Sequence, residues 1–233
     1  VDVAAPQTVV IPSVGPAYGT MMDQAAILKE SDFATVMILP QKEISTSAGV
    51  VRAVRDFCQI AQRSAILYIK HDNYISVEDV ARLTNDGLLS AIKYAIVRED
   101  AANDSYLRAL IDAVGTELIV SGMGEQPAIV HMREFGLAGF TSGCVCIRPD
   151  LSTRMLSTAH DGQWEVAESI REIFRPLEDH RNQINPIRVL HEAVALAGIA
   201  RTGPLLPCLC DLDPSDRTLV ADAAMQLLRN RSV

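Results

Sequence analysis

Short apolar runs alternate along the chain with segments whose apolar positions recur every three or four residues. The runs at residues 9–12, 35–39, 64–69, 88–96, 118–121 and 139–142 are rich in Val, Ile, Leu and Ala and show little alternation with polar residues. Such runs predict strands covered on both faces, as in a parallel sheet. Between them, Val50, Val51, Val54, Phe57, Cys58 and Ala61 recur at helical spacing, as do Leu107, Leu110, Ile111 and Val114. Ser76 with Asp79 resembles a capping box, and Pro127 suits a first helical turn. Gly87, Gly115 and Gly136 stand where helices should stop. Regular β-α alternation with short connections implies right-handed crossovers, in either an open doubly wound sheet or a closed barrel.

After residue 142 the strand pattern ends, and from about residue 151 the chain reads as all helix. Residues 163–181 carry Val166, Ile170, Phe174 and Leu177 on one face. Asn185-Pro186 opens a helix to residue 199, and Asp213-Pro214 opens another to residue 228. The expected organisation is a barrel-like region over residues 1–162 and a helical region over 163–233.

Composition narrows the function classes. The 233 residues are 48% hydrophobic and 21% charged, with a net charge of −8 and no cluster of basic residues. That describes a globular chain with a large core and argues against nucleic acid or an anionic membrane as partner. No apolar run approaches membrane-span length, and no signal-peptide pattern opens the chain. The five cysteines, an odd number without a secretory signal, point to reduced thiols and a cytoplasmic address. Cys144/Cys146 and Cys208/Cys210 are spaced more tightly than usual zinc ligands, so they read as small buried hydrophobes and no metal site is expected.

Lys93 is the most informative residue, because it lies inside the apolar run Leu-Leu-Ser-Ala-Ile-Lys-Tyr-Ala-Ile-Val. Lysine is rarely buried without a reason. Burial disfavours the ammonium and prepares an amine that can attack a carbonyl. The competing reading ends the strand near Ile92 and lets Lys93 reach solvent. Tyr68 closes the preceding run, and the carboxyl ends of neighbouring parallel strands converge on one site. A phenol there can relay protons; the alternative is a tyrosine packed at the sheet rim. Lys70, further out on that rim, suits solvation or anion binding. Ser121-Gly122-Met123-Gly124-Glu125 and Gly139-Phe140-Thr141-Ser142-Gly143 place glycines at strand ends, where exposed amides can hold a carboxylate or simply form tight turns. The five histidines have no metal-ligand spacing and most read as solvated. Neither a phosphate loop nor a serine-hydrolase elbow is present.

These residues together resemble the dihydrodipicolinate synthase / N-acetylneuraminate lyase family of Schiff-base aldolases and dehydratases. Leu67-Tyr68, followed 25 residues after Tyr68 by Ile92-Lys93, is similar to the family's tyrosine strand and lysine strand. Ser121-Gly122, then Gly139-Phe140-Thr141-Ser142 with Pro149, and Asn185-Pro186-Ile187 follow in the family's order. The resemblance implies a (β/α)8 barrel with C-terminal helices, commonly a homotetramer, acting on pyruvate or a related 2-oxo acid. It implies that Lys93 forms the imine and Tyr68 serves as acid and base. It also implies that backbone near Thr141 helps hold the carboxylate; Ser142, Gly122 and Lys70, from their places at strand ends, are further substrate-binding candidates. No metal or organic cofactor is then needed, and the partners are a small 2-oxo acid and further copies of the chain, as dimer or tetramer.

The chain also departs from the family pattern. Lys70-His71-Asp72-Asn73-Tyr74 lacks the arginine that follows the tyrosine in the synthase branch, and Gln41-Lys42-Glu43 replaces that branch's relay tyrosine. These losses favour a 2-oxo-3-deoxy sugar acid over the lysine-pathway reaction. The family's threonine-rich strand falls before Val1, so the chain reads as a barrel lacking its first two βα units. A non-catalytic barrel relative that binds a 2-oxo acid or serves in assembly is the alternative. A flavodoxin-like nucleotide binder is disfavoured by the missing glycine-rich loop.

Overall fold

The computed structural model describes residues 5, 7–41 and 44–231. Among the described residues five strands, β1 (Ser13–Val14), β2 (Val36–Ile38), β3 (Ala65–Ile69), β4 (Leu89–Tyr94) and β5 (Ile119–Ser121), lie in the spatial order of the sequence, and β1 to β4 pair in parallel. Helices α1 (Tyr18–Lys29), α2 (Ser47–Ala61), α3 (Val77–Asn85) and α4 (Ser105–Val114) connect them. After β5 come α5 (Glu125–Phe135), a 3₁₀ turn at Cys144–Cys146, and α6 (Pro149–His160). The chain ends in α7 (Trp164–Gln183), α8 (Pro186–Leu196) and α9 (Pro214–Arg229). The α/β class expected from the sequence holds. The chain forms two compact units, the first ending at Val120 and the second beginning at Ser121.

In the first unit the expected stripe of α2 is buried along its whole length: Val50, Val51, Val54, Phe57, Cys58 and Ala61. Each large apolar side chain removed from water contributes about 1.5–3 kcal/mol, so this helix is held chiefly by its inner face. In α4, Leu107 and Leu110 are buried while Ile111 and Val114 are half-buried. Ser76 accepts the Asp79 N–H at 3.2 Å and starts α3 as its sequence predicts. The N-terminal strand differs from the expected 9–12. Val9, Val10 and Ile11 are exposed, and pairing with β2 begins only at Pro12, whose carbonyl accepts the Met37 N–H.

The two faces of the sheet are covered unequally. In β3 and β4 one face is buried, by Leu67, Ile69, Ile92 and Tyr94, whereas Ile66, Tyr68, Ala91 and Lys93 on the other face are half-buried. The apolar runs concealed this alternation because Ile66 and Ala91 are apolar too.

In the second unit a core of Ile129, Met155, Ile170, Phe174, Leu177, Val189 and Val220 joins α5 to α9. Ile170, Phe174 and Leu177 of the expected α7 stripe are buried, and Val166 packs against them half-buried. Asn185 caps α8 by accepting the N–H groups of Ile187 and Arg188, both at 3.0 Å. The strand expected at 139–142 is reduced to a single parallel bridge between Ser121 and Phe140. Three of the cysteines correct a second expectation: Cys58 and Cys144 are buried, but Cys146, Cys208 and Cys210 are exposed. His131 is buried rather than solvated, with Nδ1 2.8 Å from the Ser121 hydroxyl.

Candidate active site

Strands β3 and β4 bring Tyr68 and Lys93 together. Their Cα atoms are register partners in the parallel ladder, and the Lys93 Nζ lies over the Tyr68 ring, 4.6 Å from its centroid. This juxtaposition depends on an irregularity. Ala65 pairs with Leu89, but Ile66 pairs with Ala91, so Ser90 is an extra residue in β4. Simple alternation from Leu89 would put Lys93 on the helix-covered face beside Ile69. The bulge shifts the remaining residues by one, which moves Lys93 to the open face beside Tyr68. Lys93 is thus half-buried on a sheet face, intermediate between the two readings its sequence allowed.

Two loops leave the carboxyl ends of these strands. The loop after β3 holds the exposed Lys70 and half-buried His71, then Asp72 and Asn73, whose φ of 60° is a left-handed turn that asparagine tolerates. The loop after β4 holds Arg98 and Asp104. Arg98 grips Asp72 with both terminal nitrogens, each at 2.9 Å, and its Nε donates to Asp104 at 2.9 Å. Asp104 also accepts from the Tyr94 hydroxyl, and it caps α4 by accepting the Leu107 N–H at 3.0 Å. Burial raises the Asp104 carboxyl, but the hydrogen bonds from Arg98, Tyr94 and Leu107 outweigh it and hold it below the usual carboxylate range. Tyr94 stacks on Tyr106 with centroids 6.2 Å apart, and the Tyr106 hydroxyl donates to the Ile75 carbonyl at 2.9 Å. Burial pushes both phenols well above their ordinary values. The Asp104 side chain is fully buried, whereas Asp72 is 55% exposed, so the Arg98–Asp72 arm contributes only about 0–1 kcal/mol to stability.

The remaining expected residues lie in the second unit. Gly122 is buried just after β5. Thr141 is exposed; its N–H donates to the Ser121 carbonyl at 2.7 Å and its carbonyl accepts the Gly124 N–H at 3.0 Å. The Ser142 hydroxyl donates to Glu125 at 2.6 Å and accepts the Val145 N–H at 3.2 Å. Gln41 lines a cleft of about 510 Å³ in the first unit with Ile38, Leu39 and Tyr74; Lys42 and Glu43 lie outside the described residues.

One buried polar group was missed by the sequence reading. Glu125, at the start of α5, also accepts from Ser152 at 2.8 Å, and Glu178 of α7 accepts the Glu125 N–H at 2.9 Å. Both carboxylates are fully buried. Glu178 therefore caps α5 from another helix. Gly124, at φ 99°, makes this approach possible, since a Cβ there would meet the Glu178 Oε1 at 2.0 Å. Burial, reinforced by the Glu125 charge and opposed by Arg181, pushes the Glu178 carboxyl up to about 8. A signal existed in the pattern: Glu178 lies four residues after Phe174, on the apolar stripe of α7.

No family model matches the sequence, and no curated protein matches it. Solved structures do. The dihydrodipicolinate synthase of Oceanobacillus iheyensis superposes with a TM-score of 0.82 at 25% identity, over 94% of this chain and 73% of that one. The chain has the fold of the dihydrodipicolinate synthase / N-acetylneuraminate lyase family. The Bacillus clausii dihydrodipicolinate synthase gives 0.80 at 24% identity, over 94% of this chain and 74% of that one. The Thermotoga maritima dihydrodipicolinate synthase gives 0.81 at 14% identity, over 95% and 76%. The synthase fold is a (β/α)8 barrel, the architecture that the resemblance implied. In that fold the carboxyl ends of the strands carry the chemistry, and Tyr68 and Lys93 lie near the carboxyl ends of β3 and β4.

Proposed function

We propose that the protein is a Schiff-base-forming lyase acting on pyruvate or a related 2-oxo acid. The observation that carries this reading is the Lys93 amine over the Tyr68 ring, on paired strands of a synthase-like fold. The unprotonated Lys93 attacks the keto carbon, forming a C–N bond as the carbonyl π pair moves to oxygen. Tyr68 donates a proton to that oxygen, a second proton passes from the nitrogen to the same oxygen, water departs, and a protonated imine remains. The iminium draws electrons from the adjacent carbon, which then loses a proton or breaks a carbon–carbon bond to give an enamine. Reprotonation and hydrolysis regenerate Lys93. The iminium is the electron sink, so this chemistry calls for no metal or organic cofactor.

By the resemblance, backbone near Thr141 helps hold the substrate carboxylate; Ser142, Gly122 and Lys70 are further substrate-binding candidates. The missing arginine after Tyr68 favours a 2-oxo-3-deoxy sugar acid over a substrate with a second carboxylate. A homo-oligomer in the cytoplasm completes the reading.

The test is borohydride reduction in the presence of pyruvate, followed by peptide mapping. A reduced adduct on Lys93 is expected, and pyruvate binding without that adduct overturns the mechanism. The second reading, a non-catalytic barrel relative, draws on the Ser142 hydroxyl being committed to Glu125. It predicts pyruvate binding without turnover of any 2-oxo-3-deoxy sugar acid, and measurable lyase activity sinks it.

A further inference from the structure

We infer that Arg98 is a positioning residue that sets the specificity of the Lys93 site for the distal part of its substrate, by tying together the two loops that rise from Tyr68 and Lys93. The inference rests on the Schiff-base reading and extends it to substrate selection.

The ladder between β3 and β4 already fixes Tyr68 against Lys93, so imine chemistry on a small 2-oxo acid does not need Arg98. What the ladder leaves undetermined is the course of the chain beyond Ile69 and Tyr94, where the strands end. Arg98 determines it. Its planar fork holds Asp72 through two parallel bonds of 2.9 Å, a geometry that specifies direction as well as distance. Its third bond ends on Asp104, which is immobile because it is buried, accepts from Tyr94 and caps α4. The force path thus runs from a rigid helix cap, through Arg98, to the loop that carries Lys70 and His71. A second tie, from the Tyr106 hydroxyl to the Ile75 carbonyl, closes the far end of that loop.

Asp104 and Asp72 also neutralise the guanidinium, so Arg98 is spent on structure rather than on the substrate. Lys70, exposed on the tethered loop, is left to meet the distal hydroxyl or anionic groups of a longer acid. Holding that loop in one place lowers the cost of ordering it when a long substrate binds. Pyruvate, which ends at its methyl carbon, gains nothing from it.

The experiment compares half-saturation for borohydride trapping on Lys93 by two probes, pyruvate and 2-oxo-3-deoxygluconate. The proteins are wild type, Arg98→Ala, Asp72→Asn and the double variant. Each single variant is expected to raise half-saturation for the longer acid on the order of 5- to 10-fold while leaving pyruvate within about 2-fold. The double variant is expected to match Arg98→Ala, because that substitution already removes both bonds to Asp72. Asp72 is 55% exposed, so Asp72→Asn reports on the clamp even where Arg98→Ala fails to fold. Equal losses for both acids, unchanged half-saturation, additive losses, or a wild type trapped by pyruvate but not by the longer acid each overturn the inference. A wild type that binds pyruvate without an adduct on Lys93 instead overturns the Schiff-base reading, and this inference falls with it.

Discussion

Tyr68 is half-buried, with its ring beneath a lysine amine. The ring face attracts the ammonium, and in the proposed mechanism the hydroxyl would transfer the proton. The Tyr68→Phe substitution separates them, because it retains the ring and deletes the hydroxyl. It is expected to lower kcat roughly 10²- to 10⁴-fold, with KM changed little, in a steady-state assay on a 2-oxo-3-deoxy sugar acid. A kcat within a factor of two of wild type would remove Tyr68 from the mechanism. Lys93 was visible in the sequence as a charge inside an apolar run. Its orientation was not, because side-chain alternation counted from Leu89 gives the opposite face.

Elements in this chain were legible where one local signal sufficed. The α2 stripe, the Ser76 cap and the Asn185 cap depend on residues within four positions of each other, and each is found where the pattern put it. The capping of α5 was not legible, since its acceptor is Glu178, supplied by a helix some fifty positions away. That capping has a pH signature. In the folded protein the Glu178 carboxyl is pushed up to about 8, whereas the unfolded chain has a value near 4.5. Below about 4.5 both states hold the proton and its stabilising effect is fully present; between about 4.5 and 8 the unfolded chain releases the proton first, so stability falls as pH rises. Glu178→Gln retains an oxygen for the Glu125 N–H and removes the titration. Denaturant midpoints for this variant are expected to exceed wild type at pH 8 and to converge with it toward pH 5. A variant that loses stability equally at both pH values would show that the carboxylate itself is required.

At the scale of the molecule, a net charge of −8 repels an anionic 2-oxo acid at long range, and salt screens that repulsion beyond about 10 Å. A 2-oxo acid bound as proposed would then be held by local contacts, the covalent link to Lys93 first among them. Pyruvate at about 100 times its dissociation constant is expected to stabilise the protein by about 2.7 kcal/mol, raising Tm by roughly 5–10 °C. Lys93→Ala is expected to lose most of that shift in a thermal scan, and an undiminished shift would place the binding elsewhere. Among the described residues no helix is long and apolar enough to cross a membrane. The fold class was readable from the βα alternation, because that pattern repeats along the chain. The division at Val120 was not, because the break falls inside the short strand β5 rather than in a linker.

The extra residue in β4 makes the chemistry of this sheet a question of odd and even. The Ser90 hydroxyl lies 2.6 Å from that of Thr35, and the residue stands three positions from the amine whose placement it decides. Substituting Ser90 leaves the count unchanged; removing it would exchange the amine for its apolar neighbour while preserving nearly every other letter of the strand. Two relatives could therefore be almost identical through this strand and differ wholly in which face carries the lysine amine. Aligning them without a gap at this position would hide the difference.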